Sequence, residues 1–457
     1  MERQTTTMNQ IHGVSCHKLQ ARTISSNLYI TYVADAKRDV PVPFINGDIL
    51  HHGALMKVGV GYSDNPDTAM AGAQAAKAAL EQAGIAGECD LVVLFATARH
   101  DPAVLREAVA SVVGGSVRVV GGAAVGTITN DEFGYAGDQI GLAVFRLDGV
   151  SCDILYEGGL ANGGEEEVGF RLGRRMAEHG ITRDSQPLLF YDAVDRSTGG
   201  MRLIMATPLL AGIHRGLGFL PDMVGAGLQG DFTFSPTRQW IGDGIAQHHA
   251  FAMSFDGKVR LDSVILHGCR PSTGYYTVTK ADKQVILEIN NRPALQFMQD
   301  LLGPSIPPED FAFFLIFGIN RGDKWGEFDE RIYANRLCLA IDREKNGIVM
   351  FEPDMVEGTS FQIMHRSLDL GYMAPKIESV FARLKGRRPA FAFYIDCAGR
   401  AAGYAGIDLE DATMVQRVVA GRAPLLGIYS GVEIASVMGL PRALDWTGVF
   451  SLFSVQE

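Results

Sequence analysis

The chain has 457 residues, of which 47% are hydrophobic and 20% charged, so it is long enough for two or three domains or for one large composite. Its formal net charge of -11 argues against binding to a nucleic-acid backbone. The longest strongly apolar run, Phe311–Phe317, is far shorter than a membrane span, and the first residues lack a secretory signal. The 6 cysteines form no CxxC pair and indicate reduced thiols. These features predict a cytoplasmic protein with no membrane or nucleic-acid partner.

The first part of the chain differs from the rest. Residues 1–55 contain one candidate strand, Leu28–Val33, and are predicted to form an N-terminal extension. The first well-marked helix follows this extension. Asp67 is the predicted N-cap of an alanine-rich helix that runs through Ala83, and Gly84 is its stop.

One pattern, a strand followed by a helical stretch and two further strands, occurs three times along the chain. The three copies begin with the apolar strands Leu91–Ala96, Pro187–Tyr191 and Ala390–Ile395. They close with the strands Gln139–Phe145, Ala250–Phe255 and Trp446–Val455. Short, wholly apolar strands are covered on both faces. The pattern therefore predicts an α/β fold of stacked mixed or antiparallel sheets with outer helices, and a four-layer α-β-β-α arrangement is one form of it.

Glycine-rich segments follow the second strand in two of the copies. Gly121–Gly126 and Gly225–Gly230 are predicted to be tight turns, and such turns can bring backbone N–H groups close to a ligand. The second segment matches GxGxxG, but Asp231–Phe234 and Pro236 after it indicate a strand and a turn instead of a helix. Neither segment has the lysine of a P-loop. A dinucleotide or triphosphate is therefore not supported.

The most informative stretch lies in the second half of the chain. His267, Cys269 and Arg270 place an imidazole, a thiol and a guanidinium side by side, and a proline-glycine turn and a strand ending in Val278–Asp282 follow. An HGxxPxxG turn that runs into a VTKAD strand resembles the centre of the FIST family of intracellular sensory proteins. The similarity extends from about residue 58 to residue 455. The resemblance implies a ligand-binding module that takes part in signal transduction.

The resemblance also implies a division of the chain and a second site motif. The FIST N-type half is predicted at 56–225 and the FIST C-type half at 226–457. Asp396-Cys397-Ala-Gly-Arg400 follows the apolar strand of the third copy, and its Cys-x-x-Arg turn resembles a feature of the FIST C-half. In that comparison, Arg400 holds an anionic group such as a carboxylate through two parallel hydrogen bonds.

A third motif lies close to the C-terminus. Tyr429-Ser-Gly-Val-Glu433 resembles the family segment in which a glycine and a glutamate follow an aromatic residue, although Val432 separates that pair here. A buried glutamate needs a partner, and Arg400 or Arg270 is the expected one.

Together these motifs predict a cytoplasmic sensor that binds a small ligand, anionic or amino-acid-like, between its two halves and signals through a partner protein in trans. Strand ends in α/β folds gather where ligands bind, so Arg270 and Arg400 are expected to share one cavity. The predicted ligand-binding residues are His267, Cys269, Arg270, Asp396, Cys397, Arg400, Tyr429 and Glu433.

The sequence is also compatible with two alternative functions. Some bacterial nitric-oxide sensors that resemble this family carry haem, and His267 is the candidate haem ligand. The other alternative is an enzyme with Cys397 as nucleophile, because a cysteine at a strand end beside an arginine can have a lowered pKa. The sequence contains no Gly-x-Ser-x-Gly motif and no zinc-ligand spacing, which disfavours a serine hydrolase and a structural zinc site.

Overall fold

The computed structural model describes residues 56–87, 89–242 and 244–456. The predicted N-terminal extension, residues 1–55, lies outside these ranges. Within them the α-helices are α1 (Thr68–Ala83), α2 (Pro102–Val113), α3 (Glu165–Glu178), α4 (Ala206–Leu217), α5 (Ala294–Leu302), α6 (Met373–Phe381), α7 (Ala402–Ala405) and α8 (Asp411–Val419).

The ends of α1 show how local chemistry sets a helix boundary. The Asp67 carboxylate accepts a hydrogen bond of 2.9 Å from the backbone N–H of Met70. Gly84 ends the helix with a φ of 60°, a left-handed conformation that costs glycine little. Both predicted boundaries of this helix are confirmed.

Three sheets of six strands form the main part of the molecule. The first contains, in spatial order, β1 (Met56–Ser63), β6 (Ile140–Leu147), β2 (Leu91–Ala96), β3 (Arg118–Ala123), β12 (Gln239–Ile241) and β13 (Gly244–Ala246). The second contains β7 (Cys152–Gly158), β14 (His249–Phe255), β8 (Leu188–Asp192), β11 (Val224–Leu228), β26 (Val432–Val437) and β27 (Leu440–Leu444). The third contains β15 (Val259–Leu266), β28 (Gly448–Val455), β24 (Arg388–Cys397), β25 (Leu425–Ser430), β4 (Gly126–Thr129) and β5 (Phe133–Tyr135).

Each sheet is built on one copy of the repeated unit. A parallel pair at its centre is joined by a crossover helix, which gives β2–α2–β3, β8–α4–β11 and β24–α8–β25. The closing strand of each unit, β6, β14 or β28, pairs antiparallel with the first strand of that unit. The predicted threefold repeat and the predicted mixed sheets are confirmed.

The three units exchange hairpins in a closed ring. Hairpin β12–β13 comes from the second unit but pairs with β3 of the first. Hairpin β26–β27 of the third unit pairs with β11 of the second, and hairpin β4–β5 of the first pairs with β25 of the third. Every sheet is therefore completed by another unit. The exchanges of β12–β13 with β3 and of β4–β5 with β25 both cross the predicted boundary between 56–225 and 226–457, and that division of the chain stays a prediction.

The inner faces of the three sheets share one hydrophobic core. Phe95, Phe190 and Phe393 come from the central strands β2, β8 and β24, and their ring centroids form a triangle with sides of 5.5, 5.9 and 5.9 Å. The helices cover the outer faces in three further clusters. The predicted α/β class with outer helices is thus confirmed. Three sheets surround the one core, whereas a four-layer α-β-β-α arrangement contains two sheets.

Glycines in the second parallel strands allow the close pairing. Gly121 lies in β3, and a β-carbon there would approach the Leu94 carbonyl oxygen to 1.9 Å. Gly225 lies in β11, where the equivalent distance to the Leu189 oxygen is 1.8 Å. The prediction that the 121–126 and 225–230 segments start as turns is wrong, because Gly121 and Gly225 are strand residues whose missing side chains admit the neighbouring strand.

Residues 269–366 form a separate module inserted between β15 and β24, two strands of the third sheet. Outside this module, β9 (Val194–Asp195) and β10 (Arg202–Leu203) form a further two-stranded sheet. The strands of the module are β16 (Cys269–Pro271), β17 (Tyr276–Asp282), β18 (Val285–Ile289), β19 (Arg292–Pro293), β20 (Ile316–Asn320), β21 (Tyr333–Asp342), β22 (Gly347–Met350) and β23 (Ser360–Arg366). With α5 they enclose a core of their own. We call 269–366 the inserted module and the described residues of 56–266 and 373–456 the body.

Candidate functional site

Arg400 lies in the short 3-10 turn that follows β24 and is fully buried. Its Nε atom donates to Asp396 Oδ1 at 3.1 Å, and its Nη2 atom donates to Asp411. The other acceptors are Tyr372 Oη at 3.2 Å and the backbone oxygens of His267 and Trp446 at 2.8 and 3.3 Å. Asp411 also accepts a bond of 2.6 Å from Arg366 of the inserted module. All five N–H groups of the guanidinium thus have acceptors within the protein, and Arg400 holds strand ends together.

Arg270 has a different environment. It lies in β16 with an exposed side chain, and its guanidinium sits 5.3 Å from the centroid of the Phe328 ring. An exposed Arg270 and a buried Arg400 do not line one cavity, contrary to the prediction. The remaining residues named by the sequence do come together around the ends of β24 and β25. A ligand contact by any of them stays a prediction.

Both ring nitrogens of His267 are engaged. Nδ1 accepts from the backbone N–H of Cys269 at 2.9 Å, so the proton resides on Nε2, which lies 3.1 Å from the Glu330 carbonyl oxygen. Burial lowers the pKa of His267 well below its usual value, and the nearby charges of Lys376 and Arg400 lower it further. His267 is therefore a neutral structural imidazole, and binding of haem iron requires that one of these bonds break.

The two predicted thiols are buried and protonated. Burial raises the pKa of Cys397 well above its usual value, and the charge of Glu433 adds to the effect. Burial raises the pKa of Cys269 to about 11, which Arg400 and Arg366 only partly offset. A thiol is a weak nucleophile compared with its thiolate. Neither residue has the environment that the enzyme alternative requires.

Glu433 is fully buried in β26, and no arginine of the described part of the chain pairs with it. It accepts a bond of 2.9 Å from Ser430 Oγ and one of 3.3 Å from the backbone N–H of Thr447. Burial raises its pKa well above the usual range. The expected pairing with Arg400 or Arg270 is wrong, because Glu433 faces the end of β25, where a hydroxyl and an amide satisfy it.

Tyr429 belongs to an aromatic group to which all three units contribute. Its hydroxyl donates to Glu410 at 3.0 Å, and Tyr135 donates to the same carboxylate at 3.3 Å. The two tyrosine rings are 5.1 Å apart, and Phe232 from the second unit packs edge-on to Tyr135. Tyr404 stacks on Phe232 with centroids 5.4 Å apart. These rings cover the strand ends where the units meet.

A group of buried polar atoms lies at the seam between the body and the inserted module. Tyr191 Oη, Asp445 Oδ1 and Trp446 Nε1 have no hydrogen-bond partner among the described residues, and the only polar side chain that the Asn335 amide approaches there is the Cys269 thiol. Two hydrogen bonds cross the seam here: the backbone N–H of Asp445 donates to the Asn335 carbonyl at 3.3 Å, and the backbone N–H of Leu337 donates to the Asp445 side chain, at Oδ2, at 2.9 Å. More than nine in ten buried polar groups are normally paired. In proteins, buried groups of this kind are commonly paired by an ordered water or by a ligand.

Trp446 adds strain to the same seam. Its φ of 54° is left-handed, which is rare for a bulky residue. Its ring packs against Gly399, where a β-carbon would approach to 2.9 Å, and its carbonyl accepts from Arg400. Strained residues of this kind cluster at functional sites. The seam is therefore our candidate functional site.

Glu352 connects the module to the body on one side of the seam. Its carboxylate accepts bonds from the backbone N–H groups of Ala206 and Thr207, at 2.9 and 2.8 Å, where α4 begins. Burial raises the pKa of Glu352 to about 7; Arg336 opposes this shift and Asp445 adds to it. A cavity of about 10 Å³ lies next to it and is lined by Ala193, Leu203, Ile204, Gln229, Phe234, Phe351, Glu352, Gly431 and Val432.

Comparison with known protein families decides the family. Residues 90–292 match the FIST N domain and residues 294–436 match the FIST C domain, which together cover most of the chain. The chain belongs to the FIST family. FIST domains are generally sensory and signal-transduction domains. The family predicted from the HGxxPxxG and VTKAD motifs is thus confirmed.

The relatives of this FIST protein carry names that state no activity. Mb0898c of Mycobacterium bovis is 28% identical over 194 residues, which are 42% of this chain and 50% of that protein. Rv0628c of Mycobacterium tuberculosis is 28% identical over 200 residues, with the same coverage. MJ1623 of Methanocaldococcus jannaschii is 24% identical over 154 residues, 32% of this chain and 29% of that protein. The chain thus spans about half the length, or less, of these relatives.

A larger cavity lies away from the seam. A surface cavity of about 360 Å³ between Asp153, Gln186 and Phe453 is larger, but none of the residues named by the sequence lines it. In the described ranges, no set of three or more histidine, cysteine or carboxylate residues is placed to hold a metal ion. No helix in those ranges is long and apolar enough to cross a membrane.

Sequence reasoning missed most of the seam. Tyr191 and Asn335 lie in strands, and Glu352 is the second residue after one, so each looks locally like a polar residue in an apolar stretch. That exception to the apolar pattern is the only signal the sequence offers. It does not say which atoms each side chain reaches.

Proposed function

We propose that this FIST protein is a cytoplasmic sensor that binds a small polar ligand at the seam between the body and the inserted module. The observation that carries this proposal is the group of buried polar atoms on Tyr191, Asp445 and Trp446, which have no partner among the described residues, and on Asn335. An unpaired buried polar group costs about 1–3 kcal/mol. A ligand that pairs several of them at once gains binding energy from each.

The chemistry of these atoms selects the kind of ligand. The phenol of Tyr191 and the indole of Trp446 can donate, Asp445 Oδ1 can accept, and the Asn335 amide can do both. A ligand that suits them carries donors and acceptors close together, as an amino acid or a related metabolite does.

The contacts across the seam support a role in signalling. Arg336 of the module donates to the Ala443 carbonyl of the body at 2.8 Å, and Arg366 pairs with Asp411. Polar contacts of this kind are typical of interfaces that rearrange. A ligand between the two parts changes the docking of the module, and a partner protein in trans detects that change. No observation favours haem or a thiol enzyme, given the engaged His267 and the protonated Cys397.

The test is a thermal-shift screen of the purified chain against the amino acids and their amine and keto-acid derivatives, followed by calorimetry of each stabilising compound. Tyr191→Phe and Asn335→Leu are expected to weaken binding about fivefold or more, because each removes a ligand hydrogen bond. Tyr394→Phe is the matched control, since Tyr394 Oη is also buried and without a partner in the described chain but lies under the helices of the third unit. Absence of any stabilising compound, or binding that both seam variants leave unchanged, contradicts the proposal.

A further inference from the structure

The cavity of about 360 Å³ lies at the end of β8 that is opposite to the seam. Gln186, one of its lining residues, comes shortly before β8 begins, whereas Tyr191 of the seam lies next to the last residue of that strand. Small-molecule sites in proteins enclose about 300–1,000 Å³. The cavity is therefore separate from the seam and has room for a small ligand of its own.

Apolar residues line the side of the cavity between the second and third sheets. Phe255 ends β14 of the second sheet, and its ring packs edge-on to that of Phe453 in β28, with the centroids 5.8 Å apart. Leu261 of β15 is opposite Phe453 in the third sheet. The Gln186 amide fixes this wall, because it accepts from the backbone N–H of Leu261 at 2.8 Å and donates to the Leu261 carbonyl at 2.5 Å. The wall is thus preformed and suits the hydrocarbon part of a ligand.

Three carboxylates line the same cavity: Asp153 of β7, Asp184 of the turn after α3 and Asp256 of the turn after β14. Two backbone N–H groups fix the Asp256 carboxylate, at 2.9 and 3.0 Å. Asp153 and Asp184 form no ion pair within the described chain. None of the described lining residues is a lysine or an arginine, and Nδ1 of His179 is turned towards a carbonyl oxygen of α3 at 2.9 Å. The lining thus carries negative charge without a lysine or arginine to balance it.

The cations next to this lining along the chain are engaged elsewhere. The guanidinium of Arg183 lies 4.7 Å from the centroid of the Phe219 ring. Lys258 donates a hydrogen bond to the Gly149 carbonyl. Neither Phe219 nor Gly149 lines the cavity. The negative charge of the cavity therefore remains available to a ligand.

Ser254 provides an observation that is independent of the acidic residues. It is only 6% exposed and lines the cavity, and its hydroxyl forms no hydrogen bond within the described chain. In the antiparallel pair of β7 and β14 it is directly opposite Asp153, so the two side chains lie on the same face of the sheet. A buried hydroxyl normally has a partner. Here an unpartnered hydroxyl faces the cavity beside a carboxylate.

We propose that this cavity is a second binding site, for an aliphatic diamine: a small organic cation whose two amino groups are separated by methylene groups. Ammonium groups donate hydrogen bonds, which the carboxylates and the Ser254 hydroxyl accept, and the apolar wall covers the methylene groups. In the described ranges these carboxylates are not grouped closely enough to hold one metal ion, so a cation with separated charges suits them better. The net charge of -11 attracts such a ligand over longer distances. The inference does not rest on the proposed function.

The experiment is equilibrium dialysis of the full chain against diaminobutane at constant ionic strength. Saturable binding of one molecule per chain is expected, with weaker binding of butylamine, which has a single amino group, and none of butanediol, which has no charge. Asp153→Asn and Asp184→Asn are each expected to weaken the affinity about fivefold or more, because each removes a charged acceptor. Asp131→Asn is the matched control, since Asp131 is an exposed carboxylate in the turn between β4 and β5 and does not line the cavity.

Ser254→Ala separates binding from folding. The hydroxyl has no partner in the described chain, so this variant is expected to keep the wild-type melting temperature and to bind diaminobutane about threefold more weakly. Lack of saturable binding, butanediol that binds as tightly as diaminobutane, or an equal loss of affinity in Asp131→Asn and Asp153→Asn overturns the proposal. The proposed function is tested apart from it: Tyr191→Phe, at the other end of β8, is expected to leave the affinity for diaminobutane unchanged, and a loss as large as that of Asp153→Asn also overturns the proposal.

Discussion

The hydroxyl oxygen of Tyr191 lies 2.8 Å from the position that a β-carbon on Gly227 would occupy. The two residues are opposite each other in the parallel strands β8 and β11, and Val432 of β26 is opposite Gly227 on its other side. Because residue 227 has no side chain, the tyrosine ring can lie across β11. One glycine thus allows a hydroxyl to lie where the second unit, the third unit's hairpin and the inserted module meet.

Gly227→Ala is expected to destabilise the protein by about 1–3 kcal/mol, because the new methyl group displaces a fully buried ring. Urea denaturation measures the free energy of unfolding. In a Tyr191→Leu background the same substitution should cost less, so a double-mutant cycle gives a coupling energy. Gly200→Ala, with no atom within 4 Å of the new carbon, is the control. Strictly additive effects of the Gly227 and Tyr191 variants contradict the contact.

Arg400→Lys is expected to destabilise the protein by about 3–5 kcal/mol, since a lysine cannot bridge Asp396 and Asp411 and leaves buried acceptors unpaired. The measurement is again the free energy of unfolding in urea. Arg331→Lys changes an arginine whose side chain is 77% exposed, and the expected change there is below about 1 kcal/mol. If both variants lose the same stability, Arg400 does not hold the strand ends together.

The buried thiols are expected to resist alkylation in the folded protein. Burial raises the pKa of Cys397 well above its usual value and the pKa of Cys89 and Cys269 to about 11, so little thiolate exists at pH 8. Iodoacetamide labelling followed by peptide mass spectrometry measures the rate of alkylation at each cysteine. Denaturant should expose all three thiols equally. Fast labelling of Cys397 without denaturant contradicts this prediction and supports the alternative of an enzyme with Cys397 as nucleophile.

The stability of the protein is expected to depend on pH through Glu352. Arg336, Asp445 and the Tyr191 hydroxyl are the groups that influence it, together with the first N–H groups of α4. The pKa of Glu352 in the folded protein, about 7, is above its ordinary value of 4.5, so the folded state holds the proton more tightly than the unfolded state does. The resulting contribution to the free energy of unfolding is complete below pH 4.5 and is lost as the pH rises through 7. Between pH 5 and 8, the wild type should lose on the order of 2 kcal/mol relative to Glu352→Gln. Parallel stability profiles for the two proteins contradict this assignment.

Haem titration tests the alternative that the protein is a haem-binding nitric-oxide sensor. Because both nitrogens of His267 are hydrogen-bonded, His267→Ala is expected to leave the absorption spectrum of the haem-titrated protein unchanged. A Soret band that appears with the wild type and disappears with this variant shows that His267 binds iron after all.

The features that the sequence determined by itself depend on neighbouring residues. Asp67 and Gly84 mark the ends of α1 because capping involves only the adjacent turn. The threefold repeat is visible because buried strands such as Leu91–Ala96 must be apolar on both faces. The HGxxPxxG and VTKAD motifs indicated the family in the same way. The fold class and the family could therefore be predicted from local patterns.

Only the tertiary structure decided which distant groups meet. Hairpin exchange among the units follows from closing three sheets around one core, and nothing near β12 indicates that it pairs with β3. Arg270 and Arg400 each follow a cysteine in a predicted site motif, yet one is exposed and the other is enclosed by two aspartates. Glu352 reaches the start of α4 across 146 positions of the chain. Such contacts depend on how complete sheets pack, and that packing is a property of the whole chain, so short segments do not encode them.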